Sequence, residues 1–139
     1  VALWRARGLT PVVIGAGGDR AAGDELAAAL AAMPGGAETA AVLVDLIGRT
    51  DLATLAAVLA GARAVVANDS GAMHLAGAVG TAVVAIFGPT NEQQTAPLVA
   101  SVDGPPARLA IHPVWCRPCM MRECPLGHVC MRGVAPADV

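Results

Sequence analysis

Val65-Val-Ala-Asn-Asp-Ser-Gly-Ala-Met-His-Leu-Ala-Gly-Ala-Val-Gly-Thr-Ala-Val-Val-Ala-Ile-Phe-Gly-Pro-Thr90 holds two short apolar runs separated by a turn and a helix-length segment. Ala64–Ala67 reads as a strand and Asn68-Asp-Ser-Gly71 as a turn. Residues 72–79 read as a short helix ended by Gly80. Ala82–Phe87 is a second strand, and Gly88-Pro-Thr90 is the loop that leaves it. Both strands are continuous apolar runs. A sheet covered by helices on both faces requires that pattern.

Reading outward, the alternation continues. Leu3, Trp4, Arg7 and Gly8 read as the tail of a helix, with Gly8 as its stop. Thr10–Ile14 is a short strand, Gly15-Ala-Gly-Gly18 a tight turn, and Arg20–Met33 a helix with Leu26, Leu30 and Met33 at helical spacing. Pro34-Gly-Gly36 stops it. Val42–Val44 reads as a strand, and Asp51 caps a helix whose apolar face is Leu52, Leu55, Val58 and Leu59. Arg108–Ile111 is a last strand. Strands alternating with helices through short loops specify an α/β fold, a Rossmann-like parallel sheet with helices on both faces. Ligands of such sheets bind beyond the C-terminal strand ends. That rule brings Gly15–Asp19, Asn68–His74 and Gly88–Thr90 to one rim. Beyond about Leu109 the composition changes to Cys, Pro and Arg. The expected organisation is therefore a domain over 1–111 and a Cys-rich tail over 112–139 that packs on it or extends it.

Composition bounds the function. The 139 residues carry a net charge of −2, with 55% hydrophobic and 14% charged residues, enough apolar material for a sizeable core. No basic run is present, which argues against a nucleic-acid partner held through phosphates. No apolar run approaches the roughly 20 residues of a membrane helix, and no signal peptide opens the chain. All nine basic residues are Arg, so Schiff-base chemistry and a P-loop lysine are excluded within this segment. The chain begins at Val1 in mid-pattern and reads as part of a longer protein.

The sharpest chemistry lies in Asp69-Ser-Gly-Ala-Met-His74. A strand–turn–helix junction offers free backbone N–H groups and the positive end of a helix dipole, a ready phosphate site. Gly71 allows close backbone approach, and Ser70 can donate its hydroxyl. Asp69 repels phosphate but suits sugar hydroxyls, and His74 lies one turn into the helix as a donor. The competing reading makes Asp69 or Ser70 a plain N-cap and His74 a half-buried helix residue. Gly15-Ala-Gly-Gly-Asp19 keeps only part of a dinucleotide fingerprint, because Arg20 stands at the third glycine position. Asp19 could accept from a ribose hydroxyl or cap the helix that follows. Gly88-Pro-Thr90 alone says only that a turn is present.

Taken together, these motifs closely resemble glycosyltransferase family 9, the ADP-heptose:lipopolysaccharide heptosyltransferases. The family order is a strand, Asp-Ser/Thr-Gly-x-x-His, a helix, a strand and Gly-Pro-Thr. All of it stands in order in Val65–Thr90, with Leu46-Ile-Gly-Arg-Thr-Asp-Leu52 and the Gly15–Asp19 turn matching upstream segments. The resemblance runs from about Trp4 to the Cys region. It implies the C-terminal, donor-binding half of a GT-B architecture. It implies that Asp69 meets the donor sugar, that Ser70, Gly71 and Ala72 meet the diphosphate largely through backbone N–H groups, and that His74 lies beside it. Asp19 would hold the ribose, with Leu46–Gly48 near adenine. Transfer in this family requires no metal, and its catalytic base belongs to an N-terminal domain without counterpart here, so this segment alone is expected to be inactive. Ala72 and Ala82 depart from commoner family residues without touching the motif.

Cys116, Cys119, Cys124 and Cys130 follow a C-x2-C-x4-C-x5-C spacing, with His112 and His128 nearby. Four thiolates suit a tetrahedral structural Zn²⁺, although only one C-x2-C knuckle is present. Free thiols remain open. Disulfides are rare in a reducing cytosol, and the spacing does not match the ferredoxin run. Similar tails occur in many relatives of the family. Arg117, Arg122 and Arg132 punctuate this segment and read as a solvated loop surface rather than as groups facing an anionic substrate. The expected partners are ADP-heptose and, through the missing domain, a lipopolysaccharide-type glycan acceptor, in the cytoplasm at the periphery of the inner membrane. Two rivals stay open: a non-catalytic nucleotide- or metal-binding module, and another GT-B member, such as an epimerase, that takes a UDP-sugar.

Overall fold

The computed structural model describes residues 6–98 and 107–139. Leu3 and Trp4 of the expected first helix lie outside them; Ala6 is helical, and Gly8 leaves at φ +61°, the left-handed stop expected of glycine. The chain divides into two compact units, Val1–Leu52 and Ala53–Val139.

In the first unit, β1 (Val12–Val13) is followed by a 3-10 turn (Gly17–Asp19), α1 (Arg20–Ala32), α2 (Gly36–Ala41) and β2 (Val44–Asp45). The strands pair in parallel, Val12 opposite Val44 and Val13 opposite Asp45. The ladder runs beyond the formal strands: Val44, Leu46 and Gly48 donate to the carbonyls of Pro11, Val13 and Gly15, each at 2.9 Å. The strand begins two residues later than the Val42–Val44 expectation. Val42 and Leu43 use their N–H groups to close the preceding helix, onto Thr39 and Ala40. That helix, α2, is absent from the sequence reading. Six residues are too few to show a period, and the turn rests on Gly35 at φ +70° and on Gly36, where a Cβ would run into the Leu30 carbonyl. Of the expected apolar face of α1, Leu30 is buried, whereas Leu26 and Met33 are about half exposed.

In the second unit, α3 (Leu52–Ala60, its first residue closing the first unit) leads to β3 (Val65–Asn68), α4 (Gly71–Ala78), β4 (Val83–Phe87), α5 (Glu92–Thr95), β5 (Ala107–Ile111) and α6 (Val129–Arg132). The sheet order is β3-β4-β5, all parallel, with Val65 opposite Val83 and Phe87 opposite Ile111. Parallel neighbours put the exits of β3 and β4 at one end of this sheet. Its core is Leu59, Met73, Ala76, Val83, Ala85, Phe87, Ala110 and Cys130. Thr81 is buried and satisfied, donating its hydroxyl to the Leu59 carbonyl at 2.7 Å. Helices cover this parallel sheet as the α/β expectation has it, and among the described residues most fully over β4. α4 packs on β3 and β4, and α6 on β4, so cover concentrates on the middle strand while Val66 and Leu109 stay exposed. Leu52 is also exposed, so the buried stripe of α3 narrows to Leu59 flanked by half-buried Leu55 and Val58.

Candidate functional site

The Asp69–His74 junction forms as its residue types require. Ser70 takes an extended backbone (φ −159°, ψ 164°) and caps α4, its Oγ accepting the Met73 N–H at 3.4 Å. Capping uses an oxygen lone pair and leaves the hydroxyl proton for a ligand, so the cap and phosphate readings of Ser70 coexist. The His74 N–H donates to the Ser70 carbonyl at 3.3 Å. Gly71 and Ala72 occupy the first turn, where N–H groups have no partner inside the helix. Open space surrounds the position a Gly71 Cβ would take.

Asp69 is held rather than loose. Its Oδ2 accepts the Thr95 hydroxyl at 2.7 Å, and its Oδ1 lies 4.0 Å from His74 Nε2. The Asp69 side chain is only 14% exposed and that of His74 47%. Thr95 is a residue the sequence reading missed. It stands at the end of α5, which Asn91 caps by accepting the Gln93 N–H at 3.0 Å. The only local signal was a turn residue followed by a polar run.

The loop that leaves β4 is gripped by the Cys-rich segment. Arg117 Nε donates to the Gly88 carbonyl at 2.6 Å, and its Nη2 reaches the Thr90 carbonyl at 3.2 Å and Glu92 Oε2 at 2.9 Å. Backbone N–H groups of Cys119 and Met120 both donate to the Pro89 carbonyl, at 3.1 and 3.0 Å. The solvated-surface reading is therefore corrected for Arg117, whose side chain is 8% exposed; Arg122 and Arg132 are exposed as expected. A guanidinium is tolerated at such depth because its fork is filled by two carbonyls and a carboxylate.

The four cysteines are free thiols, Cys130 buried and Cys116, Cys119 and Cys124 half-buried. Among the described residues no three His, Cys, Asp or Glu side chains gather into a set able to hold a metal. Gly88 and Gly133 lock the segment: a Cβ on Gly88 would strike the Met131 thioether, and one on Gly133 the His112 ring.

In the first unit, Asp19 is exposed and turns back on its own loop, its Oδ2 accepting the Ala16 N–H at 2.7 Å. It precedes α1 but makes no side-chain cap to it. Gly48 donates to Gly15 and, at φ +69°, would bring a Cβ to 3.1 Å from the Gly17 Cα. Leu46–Gly48 thus lies against the Gly15–Gly17 loop. Beside it is an apolar hollow of about 200 Å³ lined by Val13, Ile14, Gly23, Leu26 and Ile47, with Asp19 among its lining residues. Below, Asp45 accepts from Arg20 at 2.5 Å and from the Ile47 N–H at 3.0 Å. The Ile47 N–H foremost, then Arg20, hold the Asp45 carboxyl below its ordinary range; Asp45, then Asp24, hold the Arg20 guanidinium above its own.

The chain matches the family profile of glycosyltransferase family 9 (heptosyltransferase) over residues 8–130. It is 38% identical over 96 residues to lipooligosaccharide heptosyltransferase 2 of Campylobacter jejuni serotype O:2, covering 68% of this chain and 29% of that protein. It is 42% identical over 92 residues to lipopolysaccharide heptosyltransferase 1 of Pseudomonas aeruginosa, covering 64% and 22%. The solved structure of Escherichia coli ADP-heptose lps heptosyltransferase II superposes with a TM-score of 0.67 at 31% identity, covering 84% of this chain and 32% of that one. The chain thus spans less than a third of the length of these relatives. With the Asp-Ser-Gly-x-x-His junction formed between a parallel strand and its helix, it belongs to glycosyltransferase family 9, the heptosyltransferase family.

Proposed function

We propose that this chain carries the donor-binding site of a glycosyltransferase that moves heptose from ADP-heptose to a lipopolysaccharide-type core, the rest of the full-length protein binding the acceptor and supplying the catalytic base. The observation that carries this reading is the α4 junction: a shielded carboxylate beside two first-turn N–H groups that have no partner within the helix, with open space in front of Gly71. In this reading Asp69 accepts from sugar hydroxyls and sets the anomeric carbon for direct displacement with inversion. The diphosphate meets the Gly71 and Ala72 N–H groups, the Ser70 hydroxyl and His74. Charge develops on the diphosphate as the glycosidic bond breaks, and fixed N–H dipoles stabilise it without reorganising. No metal is asked of the site. Acceptors of this kind are lipid-linked, so the proposed place of action is the cytoplasmic face of the inner membrane. Among the described residues no helix is long and apolar enough to cross it.

Calorimetric titration of the full-length protein with ADP, UDP, GDP and ADP-heptose tests the reading. ADP is expected to bind best, and Gly71→Val to weaken it by about tenfold or more with little change in thermal unfolding, since open space surrounds the added Cβ. Asp69→Asn is expected to keep ADP within about twofold and to lose the extra affinity for ADP-heptose. A UDP preference moves the protein to another sugar-nucleotide class, and a folded protein that binds no nucleotide overturns the proposal.

A further inference from the structure

A carboxylate that selects a sugar must be fixed in rotation, because a freely turning carboxylate presents its lone pairs in many directions. Asp69 accepts through one oxygen from the Thr95 hydroxyl at 2.7 Å, and its other oxygen stands 4.0 Å from His74. The contact to Asp69 is the shorter of that hydroxyl's two, the other being to the Asn91 carbonyl at 3.1 Å. The hydroxyl comes from a helix of four residues, 26 positions further along the chain. A helix that short has no stability of its own, so its place is set by whatever anchors its ends. Its first residue, Glu92, receives the Arg117 fork, which also holds the two carbonyls at Gly88 and Thr90 that lead into it. The Cys119 and Met120 N–H groups hold the carbonyl between them, that of Pro89, with Met120 in a left-handed backbone conformation (φ 56°) that non-glycine residues adopt only under constraint.

We propose that Thr95 is a positioning residue for the Asp69 carboxylate, and that Arg117 holds Thr95 in place by pairing with Glu92 at the start of the same helix. The inference rests on the donor-site reading and adds to it the part that sets sugar recognition. The Cys-rich segment then acts on the donor sugar at one remove, through hydrogen bonds rather than through contact with substrate.

The test uses the full-length enzyme, titrated with ADP and with ADP-heptose, and compares wild type with Thr95→Val, Thr95→Ser, Glu92→Gln and the Thr95→Val/Glu92→Gln pair. Thr95→Val keeps the shape of the side chain and deletes the hydroxyl. It is expected to weaken ADP-heptose about tenfold and ADP less than about twofold, the weight of one hydrogen bond to a charged group. Thr95→Ser is expected to restore most of the loss, which assigns the effect to the hydroxyl rather than to the methyl group. Glu92→Gln is expected to weaken ADP-heptose in the wild-type background and to add little to Thr95→Val, as two parts in series require. Thr95→Val that discriminates ADP-heptose from ADP as well as wild type does, or that loses both equally, overturns the proposal while the donor reading stands. Fully additive Glu92→Gln and Thr95→Val effects overturn the Arg117–Glu92 arm. A wild-type enzyme that binds ADP-heptose no tighter than ADP sinks the donor reading, and this inference with it.

Discussion

Asp45 and Arg117 show what single residues do in this chain. Asp45 receives the Ile47 N–H and the Arg20 guanidinium, and the first of these does most to keep its carboxyl ionised. Because the carboxyl titrates lower in the folded chain than in the unfolded one, its stabilisation is present at neutral pH. It is lost as pH falls through the carboxylate range toward the folded value. Asp45→Asn is therefore expected to lower the urea midpoint near pH 7 and to leave it closer to wild type near pH 3, read from denaturation curves at both. Arg117 could not be placed from the sequence. An Arg in a polar, Pro-flanked run reads as surface, and its partners lie 25–29 residues upstream. The Ser70 cap was legible because donor and acceptor are three residues apart and obey a local rule.

At the scale of elements, the longer helices were found, and the three of six residues or fewer, α2, α5 and α6, were missed. α4 was expected over 72–79 and forms over Gly71–Ala78, ended by Gly80 at φ +83°. α2 and α5, of six and four residues, are held by tertiary contacts. α4 also depends on an approach that sequence does not announce: a Cβ on Gly77 would come within 2.6 Å of the Leu98 carbonyl. Gly77→Ala is expected to cost about 1–3 kcal/mol by chemical denaturation, because a backbone oxygen cannot swing aside as a side chain does. Helix propensity alone would make the same change favourable, so the sign of the measured effect decides between the two.

For the molecule as a whole, burial in the second unit centres on Phe87, Met73, Val83 and Leu59, each 2% exposed or less. Phe87→Ala is expected to destabilise the protein by about 3–5 kcal/mol in urea or guanidinium unfolding. The loop carrying Gly88 and Thr90 leaves directly from that residue, so core and candidate site share one strand end. The alternation of apolar runs and helices, the parallel pairing and membership in the family were determined by the sequence alone. So was the Asp69–His74 junction. The junction depends on residues within a few positions of one another, through backbone dihedrals and caps, and the parallel pairing follows from short strand–helix–strand connections. Only the tertiary structure decided that Thr95 meets Asp69, that Arg117 is buried under the Gly88–Glu92 loop, that Leu26, Met33, Leu52 and Val66 are left exposed, and that the four cysteines are not gathered around a common point. Those outcomes follow from how separated segments pack, since residues some 25 positions apart meet only when the sheet and the segment after it are assembled.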